Sequence, residues 1–198
     1  MRANGNLPLA HNVPKGGSLL CAELMNFVKR LFMQRRLNKL LKVSRKRSMP
    51  SFTASRHIGV LFNGNNHTIK EPLASIVQGL QKEGKDVSLL AYFEDNIPHF
   101  HFPFEAFTSR QMDWLGNIRS EKVHQFIEKK FDFLFCFNEQ PCQVTDLILA
   151  QSNAHCRVGL YQKGKEPFYE LMFIPDQQAS YEQVIHQVIE YTKMICQN

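Results

Sequence analysis

Short apolar runs alternate with amphipathic stretches along residues 57–198, and this alternation predicts an α/β fold. The first run, His57–Phe62, is followed by a polar loop and then by apolar residues at helical spacing from Leu73 to Leu80. Gly84 ends the predicted helix, and residues 87–93 form the next apolar strand. A strand, a helix and a second strand in this order predict a βαβ unit with parallel strands.

The same order of elements recurs through the rest of the chain. Further helices are predicted at 123–127, 144–150 and 181–192, and further strands at 131–137, 156–160 and 168–174. The pattern therefore predicts a single three-layer α/β domain, Rossmann-like or flavodoxin-like, with a mostly parallel five-stranded sheet between its helices.

The positive charge of the chain is concentrated at its amino-terminal end. The first 56 residues contain 12 of the 24 Lys and Arg residues and one acid, Glu23, for a net charge of +11. Residues 57–198 contain 12 Lys and Arg residues and 17 Asp and Glu residues, for a net charge of −5. A basic segment joined to an acidic body predicts contact with an anionic partner, such as nucleic acid or phospholipid.

The basic segment divides into a tail, a helix and a linker. Residues 1–24 begin with many Asn, Gly and Pro residues and are predicted to form a flexible tail. Residues 25–47 contain no Gly, Pro or acid, so they predict a helix that stops before Pro50. Residues 25–56 are thus the basic helical arm and linker, and residues 57–198 are the folded domain.

The predicted helix of the arm carries two apolar stripes on different faces. Phe27 and Leu31 lie on one side, whereas Leu37, Leu40 and Leu41 fall on the opposite side. One interpretation packs the first stripe on the body and the second on a partner, while the basic residues face phosphates. A solvated face that only adds solubility is the alternative. The basic residues in question are Lys29, Arg30, Arg35, Arg36, Lys39, Lys42, Arg45, Lys46 and Arg47.

The loop after the first strand is the leading candidate for a small-ligand site. Ligands of parallel α/β sheets bind beyond the carboxyl ends of the strands, where backbone amides and a helix N-terminus hold phosphate. The candidate residues are Asn63, Gly64, Asn65 and Thr68. The loop lacks the spacing of a dinucleotide fingerprint and the lysine of a P-loop, and Thr68 with Glu71 also fits a capping box.

The sequence contains no catalytic constellation or cofactor fingerprint, so we expect no cofactor, no metal and a binding protein rather than an enzyme. His99 and His101 lie two residues apart, but a zinc site requires three or four ligands. Cys136 and Cys142 lie at a strand end and a helix start. The two alternatives for these cysteines are a thiolate stabilised by the helix dipole and an inert buried thiol.

The cysteine pattern and the hydropathy indicate a cytoplasmic protein. The five cysteines form no CxxC pair, which is typical of a reducing compartment. No run approaches the roughly 18 apolar residues of a membrane span, and the short apolar run at 18–22 is interrupted by Glu23, unlike a secretory signal.

From Met25 onward the chain resembles a family of short Bacteroidota proteins of unknown function. The resemblance covers about 170 residues and rests on the order of RHIGVLFNG, EGKDVSLLAYF, FTSRQMDWLG, FDFLFCFN, HCRVGLY and FYELMFIP. It implies a Rossmann-like fold and a bacterial cytoplasm, and it assigns no catalytic residue.

A second resemblance is to the amino-terminal half of two-domain glycosyltransferases of the heptosyltransferase kind. It rests on FDFLFCFNEQPCQVTDLILAQSNAHCRVGLY. Those enzymes bind the sugar nucleotide mainly through a second domain that this chain is too short to contain, which implies no transferase activity without a partner.

These observations lead to three functional hypotheses. The first is a non-catalytic cytoplasmic protein that binds RNA or a ribonucleoprotein through its basic helix. The second is a peripheral protein of an anionic membrane surface that uses the same helix. The third is a protein or enzyme that binds a nucleotide or sugar phosphate at the loop after the first strand.

Overall fold

A computed structural model shows how these elements assemble and describes residues 16–43, 45–65, 70–97, 104–113, 115–176 and 178–197. The predicted ligand residue Thr68 and the histidine pair His99 and His101 lie outside these ranges. Every structural statement below concerns the described residues.

The described residues form five helices and six strands. The strands are β1 (His57–Asn63), β2 (Asp86–Phe93), β3 (Glu105–Thr108), β4 (Phe133–Phe137), β5 (Cys156–Leu160) and β6 (Leu171–Phe173). The helices are α1 (Gly16–Leu41), α2 (Lys70–Lys82), α3 (Glu121–Glu128), α4 (Gln143–Gln151) and α5 (Tyr181–Ile195). The strands lie in the order β3-β2-β1-β4-β5-β6, and every adjacent pair is parallel. This is the Rossmann order rather than the flavodoxin order.

The prediction of five strands was wrong, because the sheet has six. Strand β3 was missed because it is only four residues long and begins with the exposed Glu105, so it has no apolar run. The predicted last strand is also shorter, since Glu166–Phe168 form a 3-10 turn that directs Phe168 into the core. The α/β class and the parallel sheet between helices are confirmed.

The sheet is buried on both faces, which explains why its strands are continuously apolar. On one face, Ile58, Val60 and Phe62 of β1 pack with α2 and α5. On the other face, Leu61 of β1 packs with residues of α1, α3 and α4. The helix layers thus place α1 and α4 on the same side of the sheet.

Helix α1 differs from the predicted helix in its bounds and in its buried face. It begins at Gly16, within the predicted tail, and ends at Leu41, before the predicted end at Arg47. Met33 and Leu37 are buried beside α4, with Leu40 and Leu41 packed at the margin.

The expectation that the Phe27 and Leu31 stripe packs on the body was therefore wrong. These two side chains are 58% and 46% exposed, and the second stripe takes the buried position instead. The reason is that all of Val144–Ala150 in α4 is buried, so this short helix has an apolar outer side that α1 covers.

We predict that Leu37→Ala destabilises the protein, whereas Leu31→Ala does not. Leu37 is 3% exposed, so its truncation removes buried area and leaves a cavity at a cost on the order of 3 kcal/mol. The same truncation at the exposed Leu31 should change the free energy of unfolding by less than about 0.5 kcal/mol. Urea denaturation of both variants measures this, and equal effects would contradict the packing of α1 on α4.

Candidate functional site

The nine basic residues predicted to meet an anionic partner divide into two groups. Arg30, Arg35 and Lys39 are exposed on α1, and Lys42 is exposed just beyond its end. Lys29 and Arg36 are partly buried on the same helix. Arg45, Lys46 and Arg47 follow the helix in a segment without regular secondary structure.

Arg36 is held by a loop of the body. Its Nη1 donates to Oδ1 of Asn117, and Nδ2 of Asn117 donates to Oδ2 of Asp113 at 2.7 Å. Hydrogen bonds from Asn117 and Leu115 lower the pKa of Asp113, together with the charge of Arg119. Arg36 therefore serves the attachment of α1 to the body.

The segment after α1 runs along the amino ends of β4 and β5. The Ser48 amide donates to the carbonyl of His155 at 3.1 Å, and Nη1 of Arg45 donates to Oδ1 of Asn153 at 2.7 Å. Nη1 of Arg47 donates to the carbonyl of Ala154. The prediction that this segment continues the helix was wrong, because its polar groups pair with the loop between α4 and β5.

A buried ionic network lies beneath this segment. Glu170 accepts from Nε of Arg157 at 3.0 Å and from Nη2 at 2.7 Å, and its Oε1 lies 3.9 Å from Nε of Arg47. Arg157 also donates from Nη1 to the carbonyl of Leu149 at 3.3 Å. Burial and the charge of Arg157 lower the pKa of Arg47 to about 10. One carboxylate thus faces two guanidinium groups.

A cavity of about 380 Å³ opens beside this network at the amino edge of the sheet. It is lined by Arg45, Lys46, Arg47, Lys130, Asn153 and His155. Arg45, Lys46 and Arg47 were predicted from the sequence as basic residues of the site, whereas Lys130 and His155 were missed because neither forms a motif with them. The only sequence signal nearby is Arg157, a charged residue inside an apolar strand.

The predicted ligand loop lies at the opposite, carboxyl edge of the sheet. Oδ1 of Asn63 accepts from the Asn65 amide at 3.1 Å, and Oδ1 of Asn65 accepts from the Glu94 amide at 3.3 Å. A Cβ added at Gly64 would lie 2.2 Å from the ring of Phe93, so close packing requires this glycine. The contacts of these three residues are internal to the protein, and a ligand at this loop stays a prediction.

The crevice between β1 and β4 at this edge is spanned by one buried amide. Oδ1 of Asn138 accepts from the Asn63 amide at 2.9 Å, and its Nδ2 donates to Thr145 at 2.7 Å. Nearby, a cavity of about 260 Å³ is lined in part by Glu139 and Asp176. Two carboxylates disfavour a phosphate in this cavity, which lies beyond β5 and β6 rather than at the crevice between β1 and β4.

Cys136 is an inert thiol, and Cys142 shows no sign of activation. Cys136 is buried in β4, and burial raises its pKa to about 12, which keeps it protonated near neutral pH. Burial also raises the pKa of Cys142. Within the described ranges, no group of three or more His, Cys, Asp or Glu residues is arranged to hold a metal ion.

The strand order and the parallel sheet define a Rossmann-type α/β protein. Its charge is arranged unusually, with a basic amino edge and acidic residues at the carboxyl edge. The chain belongs to DUF6913, a family of unknown function whose pattern matches residues 29–195. No curated protein and no solved structure gave a significant match.

We predict that Glu170→Gln destabilises the protein and that Glu166→Gln does not. Glu166 lies four residues before Glu170 and forms no ion pair among the described residues. Neutralising Glu170 leaves the buried Arg157 and the partly buried Arg47 without this counter-charge, at a cost of about 3 kcal/mol. Glu166 is exposed, so its neutralisation is a matched control. Chemical denaturation compares the two, and an unchanged stability of Glu170→Gln would show that the network is not a structural element.

Proposed function

We propose that the protein binds RNA through the exposed basic surface of α1. This basic surface is defined by Arg35, Lys39 and Lys42. The observation that carries the proposal is that these three residues are exposed and that none of them forms an ion pair within the described residues.

The orientation of the basic surface follows from helix geometry. Arg35 and Lys39 lie four residues apart on one side of α1, and Lys42 follows in the turn directly after the helix, where its amide donates to the Lys39 carbonyl. Met33 and Leu37 occupy the buried side. The three cations span about 10 Å along the axis, a length that covers several phosphates of a nucleic-acid backbone.

The three cations of the basic surface lack a paired carboxylate in the part of the chain that the structure describes. Among the described residues, Arg35, Lys39 and Lys42 form no ion pair with a carboxylate. The only acid of α1 is Glu23, more than two turns before Arg35. When such unpaired cations neutralise phosphates of a nucleic acid, counterions condensed on the nucleic acid are released, and this release favours binding.

We predict that the triple variant Arg35→Glu/Lys39→Glu/Lys42→Glu binds RNA at least about tenfold more weakly than the unaltered chain at physiological salt. Fluorescence anisotropy with a single-stranded RNA of about 20 nucleotides, repeated over a range of salt concentrations, measures this. The slope of log K against log salt should become shallower by about 2, because three phosphate contacts each contribute about 0.7.

The matched control is Lys82→Glu/Arg110→Glu/Lys163→Glu. These three residues are exposed and lie elsewhere on the molecule, so the control changes net charge equally. It should retain more RNA affinity than the α1 variant. Equal loss in both variants would show a general charge effect, and binding by the unaltered chain that does not change with salt would refute the proposal.

A peripheral membrane protein is the second candidate, and one observation favours it. Phe27 and Leu31 are exposed near the same cations, where they could enter the interfacial region of a bilayer. They occupy only the part of α1 that precedes Arg35, whereas an interfacial helix has an apolar face along its length, so RNA is favoured. In the described part of the chain, no helix has the length and hydropathy of a membrane span.

Flotation with vesicles separates the two candidates. A membrane protein should float with anionic vesicles and not with neutral ones, and Phe27→Ser/Leu31→Ser should abolish flotation. The RNA proposal expects no flotation at physiological salt and unchanged RNA affinity in that double variant.

The cytoplasmic location and the Bacteroidota source stay predictions. The likeness to a heptosyltransferase half also stays a hypothesis, and its residues correspond to β4, α4 and β5. These elements supply core and none of the basic surface on α1, so the RNA proposal does not depend on that likeness.

A further inference from the structure

The strongest feature outside the basic surface of α1 is the cavity at the amino edge of the sheet, which we call the amino-edge pocket. Arg45, Lys46 and Arg47 contribute one wall. Lys130, which lies between α3 and β4, contributes another, and Asn153 and His155 from the loop before β5 complete it. Two separate parts of the chain therefore bring cationic groups to one site, and a third part completes its lining.

The amino-edge pocket is strongly positive. Four of its six lining residues are Lys or Arg, and none is acidic. A second cavity of about 200 Å³ shares Arg45 and Arg47 with it and is also lined by Arg157. Glu170 pairs with Arg157 and Arg47, and the Asp132 carboxylate, two residues after Lys130, accepts from two backbone amides. These two carboxylates are outnumbered by the five Lys and Arg residues that line the two cavities, which leaves a net positive charge at this place.

A structural role explains only part of this arrangement. Nη1 of Arg45 and Nη1 of Arg47 are bonded to the loop between α4 and β5, which fixes both side chains. The Nε group of Arg45 is buried and has no hydrogen-bond partner among the described residues. Lys46 and Lys130 are exposed and form no ion pair with any described carboxylate. The ammonium groups of these two lysines therefore remain for a ligand.

The geometry points to a binding site for a phosphate group at the amino-edge pocket, formed by the two arginines that the α4–β5 loop holds and by the exposed Lys46 and Lys130. Phosphate fits because it accepts several hydrogen bonds at once and its charge matches a cluster of guanidinium and ammonium groups. The pocket volume of about 380 Å³ also admits a small organic group attached to the phosphate.

This inference does not rest on the RNA proposal, because the residues differ. The phosphate could belong to a free phosphomonoester or to a nucleic acid that extends from the basic surface of α1. Both sources present the same chemistry to the pocket, and the experiment distinguishes them.

Isothermal titration of the full chain with inorganic phosphate, at constant ionic strength maintained with chloride, tests the site. We expect saturable 1:1 binding and a melting temperature that rises with phosphate concentration. Lys46→Gln/Lys130→Gln should bind phosphate about tenfold or more weakly, because each lysine supplies a charge-assisted hydrogen bond. Both lysines are exposed, so the variant should fold, as far-UV circular dichroism can confirm.

The matched control is Lys39→Gln/Lys42→Gln, which removes the same charge from α1 and should leave phosphate affinity unchanged. Equal loss in the two double variants, or no saturable binding by the unaltered chain, would overturn the inference.

If the pocket variant loses phosphate but retains RNA affinity, the ligand is a small phosphate compound. If it loses both, the pocket holds a phosphate of the polymer. If the unaltered chain binds phosphate but not RNA, the RNA proposal is refuted and the phosphate site is retained.

Discussion

The packing of α1 on α4 is the constraint on which the rest of the structure depends. Helix α4 is buried at every position from Val144 to Ala150, with the sheet on one side and α1 on the other. A helix without a solvent face requires cover on all sides. Met33 and Leu37 provide this cover, and they thereby determine which side of α1 faces solvent and where the chain continues after Leu41.

The buried charged side chains of the body are paired with side chains of opposite charge. Asp146 lies within buried α4, where burial raises its pKa and the ion pair with Lys165 opposes that effect. Arg157 is similarly paired with Glu170. Buried charges require partners of this kind, since an isolated one would be costly. The exception is the amino edge, where the cations exceed the carboxylates, and an excess of one charge beside a cavity is more typical of a binding site than of a core.

Basic and acidic side chains line cavities at opposite edges of the sheet. Rossmann-type proteins bind phosphates at the carboxyl ends of their strands. Here Glu139 and Asp176 lie at that edge, while the basic residues gather at the amino edge. The fold therefore does not specify the ligand position in this protein, and the distribution of charge on the fold is the better guide.

The strands and helices that could be predicted were those whose signal is local. β1, β2, β4 and β5 are buried on both faces and read as continuous apolar runs, and α2 and α5 carry a clear helical period. β3 is too short and too polar at its start to give such a signal. The basic residues were found as a group because charge is a property of composition, but Lys130 and Arg157 lie too far along the chain to be joined to them.

The sequence by itself determined the α/β alternation, the parallel sheet and the separation of a basic amino-terminal segment from an acidic body. These properties follow from local periodicity and composition, which do not depend on contacts between distant parts of the chain. Only the tertiary structure decided which stripe of α1 is buried, and it placed Arg45 and Arg47 against the α4–β5 loop rather than on a longer helix. It also brought Lys46 and Lys130 to one pocket. Those outcomes depend on contacts between residues distant in sequence, and such contacts are selected by the burial of α4 beneath α1.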